Sequence, residues 1–144
     1  MRKLAAWLIG ASLLGAACFS AEARALPPPE EIDVSQAAAS AIHISAKSFQ
    51  FDLAASSAKA GTIDFVVSND SLNEHEFVIV PYENGRYGMP AGEIEPFGGG
   101  ETRALRAQLE PGNYRFVCLV ISVEKGVPKS DLSRGMNAAF EVTR

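Results

Sequence analysis

From Ala41 onward the chain alternates apolar and polar residues with period two, the signature of half-buried strands. Ile42 and Ile44 alternate with His43 and Ser45, and Phe49, Phe51 and Leu53 alternate with Ser48, Gln50 and Asp52. After an Ala60-Gly61 turn, Ile63, Phe65 and Val67 alternate with Thr62, Asp64 and Ser68, with Val66 an apolar exception. Asn69-Asp70-Ser71 breaks that strand, and polar residues continue to Glu74. His75 to Val80 reads as the next strand, with Phe77 and Ile79 on one side and Val78 and Val80 on the other, which predicts an interior position. Pro81 to Gly100 is rich in Gly and Pro and reads as a connection, with a turn at Glu83-Asn84-Gly85-Arg86. Thr102 to Leu109 alternates weakly, and Glu110-Pro111-Gly112-Asn113 is a tight turn into Tyr114–Cys118.

The last alternating stretch places Met136, Ala138, Phe140 and Val142 on one face, as Tyr114, Phe116 and Cys118 share a face of the strand before it. The sequence holds no long helical pattern, no internal repeat and no low-complexity tract beyond Pro27-Pro28-Pro29. Many short strands at turn-punctuated spacing predict an all-β sandwich or small barrel.

The N-terminal end departs from this pattern. A Met-Arg-Lys head, an apolar run from Leu4 to Phe19 and small residues after it read as a secretory signal peptide over residues 1–25, cleaved after Ala23 or Ala25. A retained membrane anchor is the alternative, but the run is short for a bilayer. A lipid anchor at Cys18 is another, with Leu14 one place too far from the cysteine. Residues 26–40 follow as a Pro-rich extended tether with a helical turn near Gln36–Ser40, and residues 41–144 form the domain. The chain is therefore expected in the periplasm or secreted, as a monomer with no membrane span once the leader is gone.

Charge narrows the partners. The leader carries Arg2, Lys3, Arg24 and Glu22, net +2, so the remainder carries −6 against −4 for the whole chain. An acidic surface without Lys/Arg clusters argues against nucleic acid and anionic membranes, and suits solubility or docking on a basic partner.

Cysteine count changes the picture more. With Cys18 removed, Cys118 is the only thiol, so no intrachain disulfide can form. A lone thiol in an oxidising compartment is a buried hydrophobe, a metal ligand or a reactive group. His75 opens a strand, Cys118 closes another and Met136 opens the last, and strand ends are where sites are built. Imidazole, thiolate and a weak thioether are the donors of a copper electron-transfer site.

At these residues the sequence resembles the cupredoxin family, the plastocyanin- and azurin-like blue copper proteins. The resemblance lies in Ala60-Gly61-x-x-x-Phe65-x-Val67-x-Asn69, His75-Glu76-Phe77-Val78-Ile79, Pro111-Gly112-x-Tyr114-x-Phe116-x-Cys118 and Gly135-Met136, and spans about residues 41–143. It implies a Greek-key β-sandwich, export, one copper ion and electron exchange with a redox partner protein. It also implies His75 and Cys118 as in-plane ligands and Met136 as the axial one. The family's second histidine precedes the Met as His-x-x-x-Gly-Met; here Asp131 stands five residues before Met136, where that histidine belongs. Residues 121–129 look like an insertion in the loop between Cys118 and Met136.

Three readings of the site follow: Asp131 replaces the imidazole, His43 completes the set, or the site is degenerate and copper-free, leaving a sandwich that serves as a binding module. Copper storage or delivery would use the same residues without redox cycling. Glu74 and Glu76 read as a solvated pair flanking His75, and Met89 as a loop anchor. Asn69-Asp70-Ser71 is a glycosylation sequon. No nucleophile elbow, phosphate loop, zinc-protease helix or Cys-x-x-Cys is present, and no enzymatic activity is expected.

Overall fold

Period-two alternation produces strands almost throughout. The computed structural model describes residues 25–144; residues 1–24 of the expected leader, Cys18 among them, lie outside the described residues. Thirteen strands follow in order: β1 Glu30–Ile32, β2 Ile42–Lys47, β3 Gln50–Leu53, β4 Ser57–Lys59, β5 Gly61–Asn69, β6 His75–Glu83, β7 Arg86–Tyr87, β8 Gly92–Phe97, β9 Thr102–Leu109, β10 Gly112–Val117, β11 Ile121–Glu124, β12 Val127–Ser130 and β13 Asn137–Thr143. One sheet has the order β1-β9-β5-β2-β3, and the second has β4-β13-β10-β6-β7 with β8 also paired to β6. β11 and β12 form a separate hairpin. This is a cupredoxin-like Greek-key β-sandwich.

The inward residues of the two sheets meet in one core. Phe65 and Val67 on β5 and Leu105 on β9 face Phe77 and Ile79 on β6, Phe116 on β10 and Phe140 on β13. Phe116 lies at its centre, with ring centroids 4.9 Å from Phe77, 4.8 Å from Phe140 and 5.4 Å from Phe65. Tilted and edge-on aromatic packing of this kind adds to simple area burial and leaves little room for rearrangement. Tyr114 closes the bottom of the same face, its hydroxyl donating to the Glu110 carbonyl at 2.9 Å. β6 is interior, as its two apolar faces predict: Val78 and Val80 pack with Val117 in a second cluster covered by Leu132.

Three expectations are corrected. Glu30 and Glu31, read as an irregular tether, belong to β1, which pairs antiparallel with β9 from Glu30↔Arg106 to Ile32↔Ala104. The turn after it is a 3-10 turn at Val34–Gln36 inside an Asp33/Gln36 capping box, earlier than Gln36–Ser40. The Pro81–Gly100 connection contains β7 and β8, with Ile94 and Phe97 buried in the core. Gly92 pairs with Ile79 in β8, and it is a glycine where a Cβ would meet the Leu105 side chain at 3.0 Å. Sequence alternation fails in β8 because Ile94 to Phe97 oppose only His75 to Phe77, a bulge beside Pro96.

The N-terminal segment is held by Asp64, which is 5% exposed. Its carboxylate accepts two hydrogen bonds from Arg106, each 2.8 Å, and one from the Ala38 amide, also 2.8 Å. Arg106 in turn donates to the Gln36 carbonyl at 3.1 Å. The Arg106 guanidinium holds the Asp64 carboxyl below the usual carboxylate range, the Ala38 bond helping and burial opposing. A depressed carboxyl stabilises the fold above its unfolded pKa near 4, and that stability is lost as pH falls. Asp64→Asn is expected to cost about 2 kcal/mol at neutral pH, and to flatten the acid limb of a denaturation-midpoint profile.

Candidate metal centre

Four backbone devices bring the site residues to one end of the sandwich. His75 begins β6 opposite Phe97, just before the β8 bulge. Cys118 lies one residue past β10, on the inward face that Tyr114 and Phe116 occupy, and its amide donates to the Met136 carbonyl at 3.3 Å. The loop between them is stitched by Leu132 N–H to the Cys118 carbonyl, 2.8 Å, and Asp131 N–H to the Val120 carbonyl, 2.9 Å. Gly135, at φ 100°, then turns the chain so that Met136 N–H reaches the Asp131 carbonyl at 3.0 Å.

Asp131 stands at the N-cap of a short 3-10 turn, Leu132–Arg134, but its side chain does not cap it. The carboxylate turns inward instead. Its Oδ2 lies 3.0 Å from His75 Nδ1 and 3.4 Å from Cys118 Sγ, and Sγ to Nδ1 is 3.8 Å. Donor atoms of all three side chains fall within 4.8 Å of one another. His75 and Cys118 are fully buried and Asp131 is 3% exposed. Donors sharing one ion at bonds of about 2.0–2.3 Å lie roughly 3.3–3.8 Å apart, so this spacing fits a common metal with little adjustment.

Met136 is buried in the same cluster as Cys118 and is tied to Cys118 and Asp131 through the backbone. His43 is not brought to the site: it is exposed on the outer face of β2, paired with Val66. Met89, expected to anchor its loop, is 84% exposed and anchors nothing. Asn69 is buried, with its amide donating to the Asn73 and Phe97 carbonyls and its oxygen accepting from Ser71. That side chain is fully engaged and is no glycosylation acceptor.

The environment of the thiol argues against a nucleophile. Burial pushes the Cys118 thiol up to about 12, against the lowering effect of amide bonds from Glu76 and Val120, with Asp131 adding to the rise. A reactive cysteine needs its thiolate at neutral pH. Here a bound cation would stabilise it. The Glu76 amide, 3.3 Å from Sγ, is placed to donate to that charge. His75 Nε2, on the far side of the ring, is buried without a partner.

Glu76 was expected at a solvated edge, and is instead 8% exposed. The strand alternation sends it to the outer face of β6, where it meets Glu93 of β8. Its Oε2 accepts the Leu119 amide at 3.0 Å, fixing the residue after the thiol. Sequence reasoning also missed Arg134 and Phe49. Arg134 donates to Asp131 Oδ1 at 3.1 Å and lies 4.9 Å over the Phe49 ring, whose edge faces His75 at 6.4 Å. Phe49 occupies left-handed backbone space at φ 59°, which its strand pattern gave no sign of. A surface pocket of about 300 Å³, lined by Phe49, Glu74, Ser122 and Asp131 among others, opens over the carboxylate.

No protein-family model and no curated protein matches the chain. Solved structures do match it. Dithionite-reduced auracyanin from Roseiflexus castenholzii superposes with a TM-score of 0.57 at 17% identity, over 71% of this chain and 95% of that one. Auracyanin B gives 0.55 at 16% identity, over 81% and 99%. Auracyanin A from Chloroflexus aurantiacus, described as a "blue" copper protein, gives 0.52 at 16% identity, over 72% and 98%. The fold is that of the cupredoxins. At such identities the likeness is one of fold; the buried His75/Cys118/Asp131 group of this chain could hold a metal.

Two expectations follow from the buried groups. Native Cys118 should resist alkylation by iodoacetamide at neutral pH and react only on unfolding; modification of the folded protein, read by mass spectrometry, would contradict its burial. Burial first, then the neighbouring Glu93 and Glu95, push the Glu76 carboxyl up to about 7, the Leu119 amide bond opposing. A raised carboxyl gives stability that is fully present below its unfolded pKa and lost as pH rises through the folded one. The denaturation midpoint should therefore fall between about pH 5 and about pH 8, and fall less in Glu76→Gln.

Proposed function

We propose that the chain is an exported cupredoxin that binds one copper ion through His75, Cys118, Asp131 and Met136 and passes electrons to a partner protein. The observation that carries this reading is the convergence of an imidazole, a thiol and a carboxylate, all buried, at the strand ends of a cupredoxin-like sandwich. Copper supplies a one-electron couple when bound. The protein's part is to hold its donors still and exclude water. The Phe65/Phe77/Phe116/Phe140 core fixes β6, β10 and β13, and with them the backbone of His75, Cys118 and Met136. Soft thiolate and thioether donors select copper, whereas the carboxylate is harder and anionic and favours the oxidised ion. Such a site is expected to have a lower potential than one with a second imidazole, and a spectrum unlike a standard blue centre.

Export rests on the basic head and apolar run of residues 1–25, and the same leader makes the periplasm or the exterior the compartment. No helix among the described residues is long and apolar enough to cross a membrane. One observation favours a second reading, a copper-free interaction module: Asp131 Oδ2 already engages His75 Nδ1 and Cys118 Sγ by hydrogen bonding without an ion.

Copper titration separates the two. Adding Cu(II) to the purified protein lacking its leader should give one bound ion and a thiolate-to-copper absorption band, and Cys118→Ser should abolish the band. The absence of both the band and stoichiometric copper in the wild type would sink the copper reading. Asp131→His should move the spectrum toward that of a blue site; an unchanged spectrum would place Asp131 outside the ligand set. Reversible reduction with turnover between redox proteins distinguishes electron transfer from storage.

A further inference from the structure

A thiolate and a carboxylate on one ion would bring two negative charges together among side chains that are only 0% and 3% exposed. Buried charge is costly unless it is paired and hydrogen-bonded. One cation lies against it. Arg134, whose side chain is 14% exposed, donates from Nη1 to Asp131 Oδ1, the carboxylate oxygen that faces away from His75 and Cys118. The same nitrogen donates to Ser122 Oγ at 2.7 Å, and Nη2 lies 3.7 Å from Glu124 Oε2. Ser122 and Glu124 both belong to β11, in the stretch that reads as an insertion. The guanidinium stacks on Phe49, which abuts the His75 ring and is held at a positive φ that a bulky residue rarely adopts. Strain of this kind persists where packing on several sides over-determines it. The hairpin thus holds the arginine that faces the aspartate.

We propose that Arg134 is a positioning residue that cancels the charge of Asp131, leaves only Oδ2 free for the ion, and thereby sets the redox potential of the bound metal. The inference rests on the copper reading above. A positive charge fixed beside the ligand disfavours the more highly charged oxidised ion, so Arg134 holds the potential above the value that the carboxylate alone would give. Its contact with Oδ1 also keeps Asp131 from chelating through both oxygens.

The test is the midpoint potential of the copper-loaded protein. Arg134→Met, which keeps an unbranched stem without charge, should shift the ratio of Cu(II) to Cu(I) affinities at least tenfold toward Cu(II), a fall of about 59 mV for a one-electron couple. Arg134→Gln, which retains a hydrogen-bond donor, should fall as far, and it serves where the Met variant does not fold. Arg134→Lys keeps the charge and should stay within about threefold of the wild type. A purely structural anchor would predict the reverse ranking, with Gln near the wild type and Lys no better than Met. Equal potentials in the wild type and the neutral variants, with copper bound in each, would overturn this inference and leave the copper reading standing. A wild type that takes up no copper would overturn both.

Discussion

The structure around the Cys118–Met136 loop depends on one constraint: a carboxylate placed inside a sandwich end must find partners for both of its oxygens. Asp131 meets it by turning Oδ2 to His75 and Cys118 and Oδ1 to Arg134. Each contact then fixes another piece of chain. The carboxylate gives up the N-cap role that its position would favour, and Ser130 substitutes, its Oγ accepting the Ser133 amide at 3.2 Å. Ser122 and Phe49 immobilise the arginine, which draws the hairpin down over the site and the β2–β3 turn against His75. Remove the carboxylate, and these contacts lose their common partner.

The core supplies what the loop cannot. A loop of short backbone bonds is only as rigid as the strands it leaves, and here those strands are β6, β10 and β13, locked by four phenylalanines in mutual contact. Dense aromatic packing resists the displacement of strand ends. In the proposed copper site, donor positions that move little between charge states would lower the reorganisation accompanying electron exchange, and that rigidity would derive from the sandwich rather than from the ligands.

Much of the fold was legible because strands announce themselves by alternation. Ile63, Phe65 and Val67 face the core as the pattern requires, and the doubly apolar His75–Val80 stretch lies inside its sheet. The misses share a cause. β8 carries Gly92 and Pro96 and a bulge that breaks its period, and β1 is three residues of which two are glutamates. Both are made strands by tertiary pairing, not by local preference. At the site, residue type suggested His75, Cys118 and Met136, and position suggested Asp131. What composition could not show was burial of charge. Glu76 looked like a surface carboxylate because its partner strand was unrecognised, and Arg134 looked like one more polar residue in a loop. Two residues between Asp131 and Arg134 place them within reach across a 3-10 turn, but only the fold says which way that turn faces.

β1 has a consequence for how the domain could be handled. It is the outermost strand of its sheet, and it covers the backbone edge of β9. A chain begun at residue 41, where the alternation starts, would keep every proposed metal donor and yet leave one edge of β9, from Ala104 to Arg106, unpaired. Unpaired edges recruit strands from other molecules. Trimming to the apparent domain boundary would thus create an adhesive margin along β9, and self-association there could be mistaken for a property of the native protein.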